Sequence, residues 1–290
     1  AAVRADVEAM HSFQNEPEPQ DADSLIPRLA LSDLNRAPVQ IPAVRETIPV
    51  QGGEVFLFKT IQPVNGIVYF DFGIPCDVLA AADYPYLPLF ATALTNCGWG
   101  GRNWAEVAAE VACNAGGFSC GPGTSPLGIA PEPDSVQAQY CGRDYLMFQL
   151  KMMANKTEAC LDLLAGCLLT TDFSDTKRIR DLALEYRNDM FNSVIPNGHL
   201  YASGRAESQV SSSALREELF SGLCQVDFSA QAAAAEPQEL AVRFAAILTA
   251  LRNAGGILHI TAEETAYPAA RAAAERFARR IGLQPLQAPR

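Results

Sequence analysis

Val68, Phe70, Phe72 and Ile74 alternate with Ile67, Tyr69, Asp71 and Gly73, so one side of the segment Gly66 to Ile74 is apolar at a period of two. A loop follows, and then an apolar helix ending near Cys97. A strand with one oily face must bury it against another layer, and a neighbouring apolar helix is the obvious cover. That pair restricts the chain to a layered sheet-and-helix fold.

The remaining elements extend this arrangement. Glu54 to Thr60 predicts a strand, joined to the next by a turn at Pro63 to Gly66, where Asn65-Gly66 supplies a positive φ. After the glycine-rich break CGWGGRN, Asn103 and Glu106 have capping-box spacing, and Trp104, Val107, Ala108, Val111, Ala112 and Ala115 recur at helical intervals up to Gly116. Gly117 to Pro122 enters a strand, a proline-rich excursion runs to Pro133, and Val136 to Met153 predicts one long strand. Helices are expected over Lys156 to Thr171, capped by Asn155, then over Asp175 to Ser193, Ala206 to Leu223 and Pro237 to Asn253. A strand from Gly256 to Thr261 and a helix from Tyr267 to Ile281, stopped by Gly282, close the chain. The order β-β-α-α-β-β-α-α-α-α-β-α argues for an α+β fold, an antiparallel sheet with helices packed on one face, and against a doubly wound parallel sheet.

At the front, Ala1 to Phe13 predicts a helix already under way, with Val3, Val7 and Met10 on one side and no capping residue before it. The expectation is a chain cut from something longer. Asn15 to Asp23 is an acidic, proline-containing linker, and Ser24 to Pro42 an extended segment laid over a hydrophobic surface.

Composition excludes several classes. The net charge is −11, from 33 acids against 22 bases, and no Lys/Arg stripe exists that could neutralise phosphates, so nucleic acid is not an expected partner. Residues 1 to 35 hold seven acids against Arg4 and Arg28, a local net of −5 that a solvated linker or an attraction for basic peptides would explain. No basic-then-apolar leader or long uncharged apolar run is present, so neither export nor a membrane partner is expected, and the cytoplasm of a bacterium is the expected compartment. Eight cysteines lie scattered without a Cys-x-x-Cys pair; Cys160 and Cys167 share a stripe with Leu163, Leu164 and Leu168, as small buried hydrophobes do in a reducing compartment.

Candidate chemistry is sparse. Of three histidines, His11 belongs to the first helix, His259 sits in the apolar strand ILHIT as a core or edge residue, and no two stand three to five residues apart. His199, in IPNGHLYAS, stands as either a structural contact made within an Asn-Gly turn or a substrate-chamber contact. Ser208 to Ser213 has no Gly-x-Ser-x-Gly setting, GGFSCGPG lacks the Lys-Ser/Thr pair that grips phosphate, and Asn155-Lys156-Thr157 has glycosylation spacing with no export signal to give it meaning.

The stretch VNGIVYFDFGIPCDVLAAADYPYLPLFATALTNC (Val64 to Cys97) resembles the strand and helix that open each repeat of the insulinase and pitrilysin zinc metallopeptidases, closest to their presequence-protease branch. In the catalytic repeat of that family this helix carries His-x-x-Glu-His, two imidazoles on one face and a Glu that activates a zinc-bound water. Here the corresponding turn is Tyr84, Pro85, Tyr86, Leu87, Pro88, Leu89 and Phe90, none of them a zinc ligand. The Ile-Pro, Leu-x-Leu-Ser-Asp-Leu pattern of Ser24 to Leu34 and the Gly-His segment Ile195 to Ser203 are similar to the same branch.

The resemblance implies a peptidase-associated third repeat of the insulinase and mitochondrial processing peptidase type. Residues 1–14 would end a helical hairpin between halves, 15–44 would link, 45–284 would form the non-catalytic repeat and 285–290 would start a linker to a fourth. It further implies that zinc and its ligands lie in the first repeat of a parent protein, with no catalytic residue, metal ligand or cofactor in this chain. The residues that help polarise the scissile carbonyl would lie in the fourth repeat. The implied partners are the other repeats and unstructured peptides. A non-catalytic subunit pairing with a separate catalytic chain is the alternative, and an organellar matrix the alternative compartment.

Overall fold

The computed structural model describes residues 2–17, 30–34, 37, 41–125, 132 and 135–289. The extended segment expected over Ser24 to Pro42 lies largely outside the described residues, as does most of the excursion before Pro133. The chain divides into two units, Ala1–Ile41 and Pro42–Arg290. In the first, helix α1 (Ala2–Asn15) leaves Val3, Val7 and Met10 exposed. Its end is tied by Asn15 Nδ2 donating to the His11 carbonyl at 2.7 Å.

The second unit is built on strands β1 (Ala43–Val50), β2 (Gly53–Ile61), β3 (Ile67–Pro75), β5 (Gly117–Gly123), β6 (Tyr145–Met153) and β8 (Ile257–Ala262), with β4 (Gly98–Trp99) and β7 (Thr171–Asp172) forming a separate short pair. The six form one sheet of order β1-β2-β8-β3-β6-β5. All pairings are antiparallel except β2 with β8. The fold is α+β with a mixed, mostly antiparallel sheet. Asn65 and Gly66 take the expected positive φ, 52° and 74°. The strands they join are nevertheless not neighbours, because β8 inserts between β2 and β3.

One face of the sheet is oily and covered. Val55, Leu57, Val68, Phe70, Phe72, Leu146, Phe148, Leu150, Leu258 and Ile260 are buried on it. Helix α10 (Tyr267–Arg280) drives Phe277 edge-on against Phe70 and Phe72, with ring centres 5.6 and 5.5 Å apart. Helix α2 (Leu87–Asn96) buries Leu87, Leu89, Phe90, Ala91, Ala93 and Leu94. Helix α4 (Thr157–Thr170) buries Cys160, Leu161, Leu164 and Cys167, and α9 (Pro237–Arg252) adds Phe244 within 5.9 Å of Phe90. Helix α3 (Trp104–Asn114) begins with the expected capping box, Asn103 Oδ1 accepting from Glu106 N while Glu106 Oε2 accepts from Asn103 N.

Three expectations need correction. Val136 to Met153 is not one strand: Val136–Gln139 is a 3-10 turn, Gly142 has φ 75°, and β6 begins only at Tyr145. Tyr140 instead turns onto Phe56 and Phe58, 5.2 Å from each ring. Asn155 does not cap α4, since a 3-10 turn at Ala154–Lys156 carries the chain into it. The helical region expected at Ala206 to Leu223 is three helices, α6 (Gly198–Glu207), α7 (Ser212–Ser221) and α8 (Leu223–Ala234), which follow α5 (Thr176–Val194). Strand β1 starts at Ala43, within the last residues assigned to the linker by sequence.

Candidate functional site

The helix that follows the paired strands is where metal ligands would matter, so its surroundings come first. Tyr84, Pro85 and Tyr86 lie in the 3-10 turn Ala81–Tyr86, which runs straight into α2. Pro88 falls in the first turn, where a missing N–H costs nothing. Tyr84 stacks on Phe220 at 5.9 Å, and Tyr86 meets Phe228 edge-on at 4.7 Å beneath the Arg243 guanidinium. Burial pushes the Tyr84 hydroxyl well above its usual pKa. Leu87, Leu89 and Phe90 are within 1% of complete burial. A zinc ion needs nitrogen, sulfur or carboxylate donors in tetrahedral reach, and this turn presents carbon and two phenols locked in aromatic contacts, so the site does not fit zinc. Among the described residues, no three His, Cys, Asp or Glu side chains are grouped as an ion would require.

The sheet's other face is open, and the strand register arranges its polar residues in a row. Phe58 pairs with His259, His259 with Asp71, Asp71 with Gln149, and Gln149 with Ser119. At the centre, His259 Nδ1 lies 2.9 Å from Asp71 Oδ2. A carboxylate only accepts, so Nδ1 carries the proton and Nε2 accepts. Thr60 Oγ1 at 3.0 Å and Thr261 Oγ1 at 3.3 Å stand within reach of Nε2.

A hydroxyl, an imidazole and a carboxylate in line are the parts of a nucleophile, base and orienting acid. Thr60 is only 7% exposed, however, and its β2 backbone is engaged between β1 and β8, leaving no free pair of N–H groups beside Oγ1 to hold an oxyanion. The chain of hydrogen bonds ties β2, β8 and β3 together and leaves the imidazole partly in solvent. Sequence reasoning placed His259 correctly in a strand, as a satisfied residue. Its partners are hidden from sequence because β8 reaches them from almost two hundred residues away.

His199 is exposed in the first turn of α6. Asn197-Gly198 is a helix-to-helix junction there, with Leu200 N and Tyr201 N both donating to the Asn197 carbonyl. Gly116 to Gly123 forms a helix stop and the edge strand β5, as its composition indicates. Of the eight free cysteines, Cys76, Cys97, Cys160 and Cys167 are buried, and burial raises Cys160 to about 11 and Cys97 and Cys167 to about 12.

This arrangement of sheet and helices is shared with known proteins. The crystal structure of a conserved protein from Enterococcus faecalis V583 superposes with a TM-score of 0.55 at 10% identity, covering 84% of this chain and 53% of that one. The peptidase M16 inactive domain from Pseudomonas fluorescens gives 0.51 at 12% identity, covering 84% and 52%. The chain thus has the fold of an M16 peptidase domain. A profile of the peptidase-associated domain of M16 peptidases, subfamily C, matches residues 1–231, and the chain belongs to that family. In sequence it is similar to the mitochondrial presequence protease of Xenopus laevis, 30% identical over 209 residues that cover 72% of this chain and 19% of the relative. The same protein of Yarrowia lipolytica is 27% identical over 237 residues, 80% of this chain and 22% of the relative. The chain spans about a fifth of the length of these curated relatives. Among the described residues, no helix is long and apolar enough to cross a membrane.

Proposed function

We propose that this chain is the third-repeat, non-catalytic wall domain of a zinc-dependent endopeptidase that degrades unstructured peptides. The observation that carries the reading is the interior of α2: where the catalytic repeat needs two imidazoles and a carboxylate, Leu87, Leu89 and Phe90 fill the core. Family membership and the length of the presequence-protease relatives support a partial chain whose chemistry lies in other repeats. The uncovered sheet face, with Phe58, His259, Asp71, Gln149 and Ser119 in a row, suits a chamber lining that touches extended peptide without cutting it. A bacterial cytoplasm fits this role, with an organellar matrix as the alternative suggested by the mitochondrial relatives.

The test is a peptidase assay with the purified chain alone, then with a polypeptide supplying the zinc-binding repeat and the remaining repeats. The chain alone leaves an unstructured peptide intact. Combined with its complement it forms a stable complex and restores chelator-sensitive cleavage. Cleavage by the chain alone, or equal activity of the complement without it, would contradict the proposal.

A further inference from the structure

Helices α6 and α7 bound a cleft of about 670 Å³ away from the sheet's open face. Its wall combines apolar Leu200, Tyr201 and Val210 with the acids Glu207, Glu217 and Glu218, and contains no Lys, Arg or His. Leu200 and Val210 are 59% and 88% exposed, an unusual position for aliphatic side chains that nothing in this chain covers among the described residues.

Glu218 is the telling member. It is 3% exposed, and its Oε1 accepts from Cys224 N at 3.3 Å and lies 3.4 Å from Arg205 Nη1. Its Oε2 is buried with no hydrogen-bond partner. The carboxylate is folded against Gly222, a fellow wall residue, where a Cβ would come within 2.0 Å of Oε2. A buried carboxylate oxygen without a donor costs about 1–3 kcal/mol, so the fold gains when a donor arrives.

The other two acids are served by neutral hydroxyls, which do not offset a carboxylate's charge. Glu217 accepts from Thr124 Oγ1 at 3.1 Å and Ser221 Oγ at 3.0 Å, and Glu207 accepts from Ser203 Oγ at 3.0 Å. Among the described residues, Arg205, itself 52% exposed, is the one guanidinium paired with any of the three acids. Arg216, on the same helix as Glu217, is engaged by Asp144.

We infer that this cleft binds the side chain of a lysine or arginine of an extended peptide, its aliphatic stem against Leu200 and Val210 and its cationic head between Glu217 and Glu218. The inference rests on the proposed handling of peptides for the identity of the ligand's carrier. It needs neither zinc nor any other repeat to be tested. Ile195 to Ser203, singled out in the sequence, supplies Leu200 and Tyr201 to the wall, while His199 is not part of it.

Fluorescence anisotropy with this chain and a labelled acetyl-Ala-Ala-Lys-Ala-Ala-amide tests it, against the same peptide with norleucine for lysine. The lysine peptide binds about tenfold more tightly, the size of one lost charge-assisted contact, and the advantage shrinks with salt. Glu217→Gln and Glu218→Gln each reduce the advantage, whereas Asp162→Asn on α4 leaves it intact. Circular dichroism checks the folding of each variant; if Glu218→Gln does not fold, the exposed pair Glu207→Gln and Glu217→Gln carries the same comparison. Equal affinities for the two peptides, no binding of either, or indifference to the substitutions would overturn the inference. Any of these results leaves the wall-domain proposal standing, because that proposal fails only if this chain itself cleaves peptide or its complement works without it.

Discussion

Arg143 grips Asp77 with two hydrogen bonds, Nε to Oδ2 at 2.9 Å and Nη2 to Oδ1 at 2.7 Å, and with its remaining nitrogen holds the chain's end: Nη1 donates to the Gln287 carbonyl at 2.8 Å. The Arg143 side chain is 3% exposed, so this is a buried, planar, bidentate pair. The same nitrogen also donates to the Gln139 carbonyl at 2.9 Å, which fixes the turn before β6. The segment after Gln284, expected to start a linker, is thereby tied back to the domain at Gln287.

Arg143→Ala strands the Asp77 carboxylate and releases both the tail and the turn. Loss of one partner of a buried pair costs about 3–5 kcal/mol. Urea unfolding of the two proteins measures it, and a change below about 1 kcal/mol would show the pair to be dispensable.

Gly255 has φ 78°, and a Cβ there would stand 2.3 Å from the Pro285 carbonyl oxygen. Gly255→Ala thus combines left-handed backbone strain with a clash against main chain, at a cost of about 1–3 kcal/mol. Gly121→Ala, on the β5 edge with open space around its Cβ position, serves as the comparison and shifts the unfolding midpoint far less.

Burial pushes the Asp144 carboxyl above its usual 3.8 despite the Arg216 guanidinium beside it, with Asp77 adding to the push. A carboxyl whose folded pKa is raised holds its proton more tightly in the native state, so its contribution is full at low pH. It falls as pH rises through the unfolded value toward the folded one. Asp144→Asn removes that slope. Unfolding midpoints measured from about pH 4 to about pH 7 decline less steeply for the variant.

Thiol reactivity follows burial. Cys113 is exposed and reacts first with a chromogenic disulfide, whereas Cys97, Cys160 and Cys167, raised to about 12, 11 and 12, stay protonated near neutrality. These three, and buried Cys76, react only at the rate of unfolding. Rapid labelling of Cys167 in native conditions would contradict the packing described for α4.

Local chemistry is the legible part of this chain. The Asn103–Glu106 capping box, the Asn65-Gly66 turn and the Gly282 stop are each decided within a few residues, and sequence spacing reports them directly. Partner choice is not legible: β8 shows itself as a strand in ILHIT, but nothing local says that it enters between β2 and β3 and runs parallel to β2. The same distance conceals the Asp71–His259–Thr60 chain. Periodicity fails between Val136 and Asp144 because Arg143 is claimed by Asp77 and Gly142 adopts a left-handed φ, both tertiary demands. The helices α6 to α8 are blurred in sequence because their apolar residues, such as Leu200, Leu215 and Leu223, are substantially exposed and form no clean stripe.

Metal content tests the central claim most directly. After purification with zinc present and dialysis without it, the chain is analysed by inductively coupled plasma mass spectrometry alongside a protein that carries His-x-x-Glu-His on the equivalent helix. The account predicts far less than one zinc per chain and an unfolding midpoint unmoved by chelator, since α2 turns leucine and phenylalanine inward. One tightly held zinc per chain, removed by chelator with loss of stability, would contradict it.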